Sequence, residues 1–327
     1  MVYLCFPDYF VIYITMSKKT LAALTIKKRF AANFSVISNL ALVLLKLLVG
    51  IMSGAVSIIA EAIHSGLDLA AAIIAKYSVV KSSEPADKKH HFGHGKVENV
   101  SALLEGLLIF FAAYLIIHEA YDKFVHGVKI NNIGIGIGVM LVSTVVNYFI
   151  SGYLFKISKE TESDALDADA WHLRTDVYTS LGVFTALLLI SLLKDIVPHI
   201  EYLDPLIAAG TAAWISFAAF QITKDSILNL VDTKISPEEE KTVRRAIQEN
   251  SGSFVDFHKL RSRKSGPFRY LDLHLTVSRD LHVEEAHELT HHIEKDIKKS
   301  LRNTEVMFHL EPCNAACRKC RMKCSKQ

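Results

Sequence analysis

The sequence predicts a membrane α-helical protein: six transmembrane helices, then a cytoplasmic α+β domain with the ferredoxin-like order αββαβ. Three observations predict it. The first two-thirds of the 327 residues hold nearly all the long apolar runs, the text turns charged and mixed from Ser236 onward, and basic residues gather in alternate connections. Half of the residues are hydrophobic and the mean hydropathy is +0.26, high for a soluble protein. A net charge of +3, with no basic stripe interleaved with aromatics, argues against a nucleic-acid partner.

A bilayer-spanning helix needs about 20 mostly apolar residues. Six stretches qualify: 34–52, 55–80, 97–121, 130–155, 170–193 and 203–222. Lys18, Lys19, Lys27, Lys28 and Arg29 precede the first. Lys81, Lys88, Lys89 and Lys96 fill the second connection, and Lys156 and Lys159 the fourth. Basic residues mark the inner side, so both termini are expected in the cytoplasm, in the plasma or cell inner membrane. Residues 1–33 form a cytoplasmic segment. Its first fifteen lack a basic n-region, so no signal peptide is expected; they read as an over-extended start or an interfacial anchor. Residues 34–222 form the membrane domain, 223–236 a linker, 237–312 the αββαβ domain and 313–327 a Cys-rich basic tail.

Charged side chains at mid-membrane cost roughly 2.5–3.5 kcal/mol on insertion scales, so each needs a partner or an aqueous cavity. The second span carries His64 and Asp68, and the fifth carries His172 and Asp176. Residues four apart are offset by about 40° and rise about 6 Å, so each pair shares a helix face. One such pair reads as a helix-packing hydrogen bond. Two matched pairs favour a shared N2O2 site for a divalent ion, Zn²⁺ above all. Glu61 and Asp169, each three residues before its histidine, could hold the imidazoles or lie at solvent-facing span ends. Lys46, near the end of its span, is expected to snorkel. Asn39, Glu105, His118 and Asn147 read as path-lining groups or, more simply, local packing contacts. Gly134, Gly136 and Gly138 lie in an apolar span and suit close helix packing rather than a nucleotide loop.

The second connection, "EPADKKHHFGHGKVEN", offers Asp87, His90 and His94 as a ligand set, with Gly93 and Gly95 bending the chain. In the soluble part, Ser236 caps a helix with Pro237 in its first turn. Two strands follow around Gly266–Pro267, then an amphipathic helix with Val283, Leu289, Ile293, Ile297 and Leu301 apolar, then a last strand. Alternation puts Leu271, Leu273, Leu275, Val306, Phe308 and Leu310 on the helix-covered face. Asp272, His274, His309 and Glu311 fall on the other, which suits a metal, a partner subunit or plain solvent. Cys313, Cys317, Cys320 and Cys324, among basic neighbours, suit a soft metal or are incidental to a disordered tail.

Together these segments resemble the cation diffusion facilitator family from about Phe30 to Pro312. The markers are "GAVSIIAEAIHSGLDL", "HHFGHGKVE", "DAWHLRTDVYTS", "LRSRKSGPFRYLDLHL" and "FHLEP". The resemblance implies a metal/proton antiporter, not an enzyme, with the soluble part metallochaperone-like and the chain a homodimer in the lipid bilayer. It implies a transport site at His64, Asp68, His172 and Asp176, and an interfacial site at Asp87, His90 and His94. A cytoplasmic site would use His258, His274, His287, His309 and Glu311, shared across the dimer, with Glu311 where close relatives often have Asp. Lys96 and Asp232 would pair between the membrane and soluble parts. His64 resembles zinc-preferring members, so Zn²⁺ is the expected substrate and structural or regulatory ligand, with no organic cofactor. The alternatives are export of Fe²⁺, Mn²⁺, Co²⁺ or Cd²⁺, or a non-transporting sensor or assembly partner. The cysteine tail lies outside the family pattern.

Overall fold

The structure is a computed structural model, and it describes residues 8–53, 56–126, 134–193 and 202–314. It divides into two compact units, one up to Ile227 and the other from Leu228.

The first unit consists of α1 (Asp8–Ser53), α2 (Val56–Ser82), α3 (Lys96–His126), α4 (Gly134–Thr161), α5 (Asp164–Leu193) and α6, which begins at Leu203 and ends at Leu230. Residues 223–230, expected in a linker, thus continue α6; Ser226 is buried on the same helical stripe as Ile215 and Ala219. Among the described residues, five of these helices are long and apolar enough to cross a membrane: α1, α2, α3, α4 and α6. The sequence predicts six. The exception is α5, whose 30 residues would rise roughly 45 Å. Its first half carries Asp164, Asp167, Asp169, His172, Arg174 and Asp176, which lowers its hydropathy and matches its place against the other helices.

Small residues let these helices approach closely. Ala31 and Ala32 of α1, Val79 of α2, Ile150, Leu154 and Ile157 of α4, and Ala165, Leu166, Ala170 and Leu173 of α5 share one core. A second joins Ile109 and Ala113 of α3 to Ile215 and Ala219 of α6. There a methyl group on Gly106 would stand 2.5 Å from Thr223 Oγ1 and 3.2 Å from its backbone nitrogen, so only glycine fits. Outward faces carry exposed apolar side chains such as Leu48, Phe111, Phe149 and Phe217, as a lipid-facing surface requires. The α4–α5 connection is two residues long, with Glu162 at φ 54°.

At one end of the bundle Glu98 of α3 is fully buried. It accepts hydrogen bonds from Lys28 of α1, Ser82 of α2 and Ser163 of the α4–α5 connection. Beside it Asn99 Nδ2 donates to Asp164 Oδ2 at 2.6 Å.

The second unit contains α7 (Pro237–Gln248), β1 (Asp256–Ser265), β2 (Phe268–Val277), α8 (Val283–Ser300) and β3 (Thr304–Pro312). The sheet order is β1-β2-β3, with β1 antiparallel and β3 parallel to the central strand. Ser236 and Glu239 form a capping box at the start of α7. Gly266, at φ 54°, opens the two-residue β1–β2 turn, a conformation glycine adopts without a side-chain clash. Leu271, Leu273 and Leu275 pack against Val243 and Ile247 of α7 and Ile293 and Ile297 of α8. Val306 and Phe308 join them, but Leu310 is 38% exposed: the helices cover β3 only over its first part. Val283 is 85% exposed, because at the first position of α8 it precedes the turn that meets the sheet.

Candidate metal centres

Within the helical unit, α2 and α5 bring together Asp68, His172 and Asp176, each offering a ligand atom within 4.8 Å of the others. His172 Nε2 lies 3.1 Å from Asp68 Oδ1, and both residues are buried. His64 stands one turn from Asp68 but is exposed and outside this group. On α5 the same four-residue spacing brings both His172 and Asp176 into the group, so spacing alone does not place His64. The side chain of Glu61 lies outside what the structure describes. Asp169 is buried, but its Oδ2 and His172 Nδ1 make no hydrogen bond, so it does not hold that imidazole as expected.

Two further ionisable groups are buried beside this centre. Glu105 of α3 is fully buried, neither carboxyl oxygen makes a hydrogen bond, and it sits in electrostatic reach of Asp169 and His172. Lys46 does not snorkel. It is 4% exposed, and its Nζ donates to Ser65 Oγ of α2 at 2.7 Å. The signal for both was their rarity in apolar text. Of the other polar marks, Asn39 and Asn147 are buried, and His118 is exposed beside Asp122.

Between α2 and α3, Asp87, His90 and His94 form a second group with ligand atoms within 4.8 Å. Asp87 accepts the backbone N–H groups of Lys89 and His90 at 2.8 and 2.7 Å, an Asx turn that folds the loop around it. Its carboxyl is pulled down to about 2, chiefly by the His90 N–H and then that of Lys89. His94 Nε2 sits 3.4 Å from Asp87 Oδ2, and the His90 and His94 rings are 4.5 Å apart. Gly93, at φ 75°, closes the turn.

The sheet supplies the third group. Register places His258 of β1, His274 of β2 and His309 of β3 opposite one another in one row. Glu311, two residues further along β3, shares their face. His258, His274 and Glu311 have ligand atoms within 4.8 Å of one another. Glu311 lies 2.6 Å from His274 Nδ1 and 3.3 Å from His258 Nε2, and the His274 bond is the main cause of its lowered pKa. His309 is more peripheral: its ring is 4.6 Å from that of His274, and its Nε2 is 4.0 Å from Glu311. His287 is not in this group. It lies on α8, which packs on the opposite face of the sheet, and its ring meets His291 at 4.5 Å.

Asp232 Oδ1 is 3.6 Å from Arg263 Nη1 within the second unit, and Lys96 opens α3 in the first. Cys313 is buried and in no disulfide, and its backbone N–H donates to Val277 O. Cys317, Cys320 and Cys324 lie outside the described residues.

Residues 33–231 match the family model described as "Cation efflux transmembrane domain", and 235–313 match "Cation efflux protein, cytoplasmic domain". "Uncharacterized transporter sll1263" of Synechocystis sp. is 32% identical over 87% of this chain and 91% of its own length. "Cation-efflux pump FieF" of Pectobacterium atrosepticum is 28% identical over 80% of this chain and 85% of its own. A solved structure of CzrB in its zinc form is 34% identical across 25% of this chain and 92% of that one, with a TM-score of 0.24. With family models covering nearly all of 33–313, the chain belongs to the cation diffusion facilitator family, whose transporters move divalent cations out across the membrane.

Proposed function

We propose that this chain exports Zn²⁺ from the cytoplasm in exchange for protons, by alternating access at Asp68, His172 and Asp176, with His64 supplying the fourth ligand. The observation that carries this reading is the meeting of α2 and α5 ligand atoms inside an apolar helical unit. Two carboxylates offset the charge of a divalent ion and make its burial tolerable. Imidazoles, with an ordinary pKa of about 6.5, ligate when neutral, so metal and protons compete for the same lone pairs. That competition couples the two fluxes without a separate proton site. Turning His64 inward completes a tetrahedral N2O2 set, the geometry zinc prefers.

The basic residues around the even-numbered connections support cytoplasmic termini. The loop group would then face arriving cytoplasmic metal. The sheet group, with His287 supplied across a homodimer, would bind metal and bias the dimer's conformation as a sensor.

Zinc flux in proteoliposomes, with the pH varied on each side, tests the reading. Wild type should move zinc against a proton gradient and Asp176→Ala should not. Zinc binding without flux in wild type would instead support a sensor. A second reading follows from the exposed His64: one imidazole and two carboxylates form a harder donor set that suits Fe²⁺ or Mn²⁺. His64→Asp should broaden selectivity if zinc is the cargo and leave it unchanged if His64 takes no part.

A further inference from the structure

Lys46 offers a clue to how the cargo is released. Its ammonium is inside the helical unit, 4% exposed, and hydrogen-bonded at 2.7 Å to Ser65, which is 5% exposed. Ser65 and Asp68 are three residues apart on α2, hence on one face and about one turn, or 4.5 Å of rise, from each other. The hydroxyl therefore holds the ammonium one turn from the carboxylate that meets His172. The Lys46 charge bears on both Asp68 and Asp176. A buried ammonium is costly in a membrane interior, and a lysine near a span end would ordinarily reach outward to the interface. Here it turns inward, toward the pair of carboxylates.

Charge counting shows the consequence. Asp68 and Asp176, both ionised, would by themselves neutralise a divalent ion completely. With Lys46 beside them, the loaded site carries one more positive charge than it would without the ammonium, in a medium where Coulomb interactions are several times stronger than in water. The same ammonium makes the empty site less negative by one charge.

Resting on the export reading above, we propose that Lys46 is a tethered internal cation that sets how tightly the Asp68–Asp176 site holds its divalent cargo and how readily it lets go. It is a positioning and affinity-setting residue, not a ligand. Ser65 aims it.

The test uses the full-length purified protein, with Zn²⁺ as the probe. Zinc affinity is measured by competition with a chromogenic chelator, and initial zinc flux is measured in proteoliposomes. Lys46→Gln keeps a donor for Ser65 but removes the charge. It should tighten zinc binding about tenfold or more while slowing flux, because release becomes limiting. Lys46→Arg should stay close to wild type in both. Ser65→Ala keeps the charge but loosens its aim, and should tighten binding by a smaller factor. A merely structural tie between α1 and α2 would lower thermal stability in Lys46→Gln without tightening zinc, and that result overturns the proposal. So does an affinity within twofold of wild type in both Lys46→Gln and Ser65→Ala while wild type still exports zinc. A wild type that neither binds nor moves zinc overturns the export reading and this inference together.

Discussion

His172 Nε2 of α5 lies 3.1 Å from Asp68 Oδ1 of α2, 104 residues apart in sequence. This contact joins two helices through groups that apolar surroundings tolerate only when partnered. Asp68→Asn should abolish zinc flux and weaken zinc binding by well over 100-fold, since even groups that only orient ligands contribute 10–100-fold. Chelator competition on the purified protein reads the affinity directly.

The loop group makes a pH prediction. With its pKa held at about 2, the Asp87 carboxylate contributes its stability to the loop fully above the ordinary carboxyl range near 4. That contribution is lost only as pH falls through about 2. Metal released from this loop between pH 7 and 5.5 is therefore not displaced by protonation of Asp87. Asp87→Asn should weaken loop binding at every pH without moving the midpoint of release, as calorimetric titrations at several pH values would show.

Glu311 bridges His274 and His258 in the second unit. Glu311→Gln keeps the shape but removes the anionic ligand, and should weaken zinc binding there by about 10–100-fold. Zinc binding measured in an Asp176→Ala background isolates this site from the membrane one.

Glu98 gathers Lys28, Ser82 and Ser163 with no exposure to solvent. Glu98→Ala strands a buried ammonium, a change that costs about 3–5 kcal/mol in comparable buried pairs. The detergent-solubilised variant should melt at a clearly lower temperature than wild type, and a Tm unchanged within error would contradict this account.

Much of the fold and site was legible in the sequence because ionisable residues stand out against apolar text. The HxxxD spacing singled out α2 and α5, and Asp87, His90 and His94 were adjacent enough to suggest a cluster. Ser236 and Gly266 marked the start of α7 and the β1–β2 turn through local chemistry that needs no tertiary knowledge. The direction of Lys46 was not legible, because its partner is a neutral hydroxyl 19 residues away on another helix. The outward position of His64 depends on a rotation that spacing leaves open by tens of degrees. Leu310 fits the alternation, but alternation cannot say where the covering helices stop. Likewise, helical periodicity placed α8 without showing that His287 lies on the face of the sheet opposite the sheet histidines.

The row formed by His258, His274 and His309 has a consequence for how this gene can vary in length. Side chains along a strand switch sides at every residue, so one codon gained or lost midway along β2 would turn His274 under the helices and bring a leucine out to Glu311. Two codons would restore the side but displace the row by a full step. The central strand is thus a fixed ruler, and tolerated insertions in this part of the chain belong in its connecting turns.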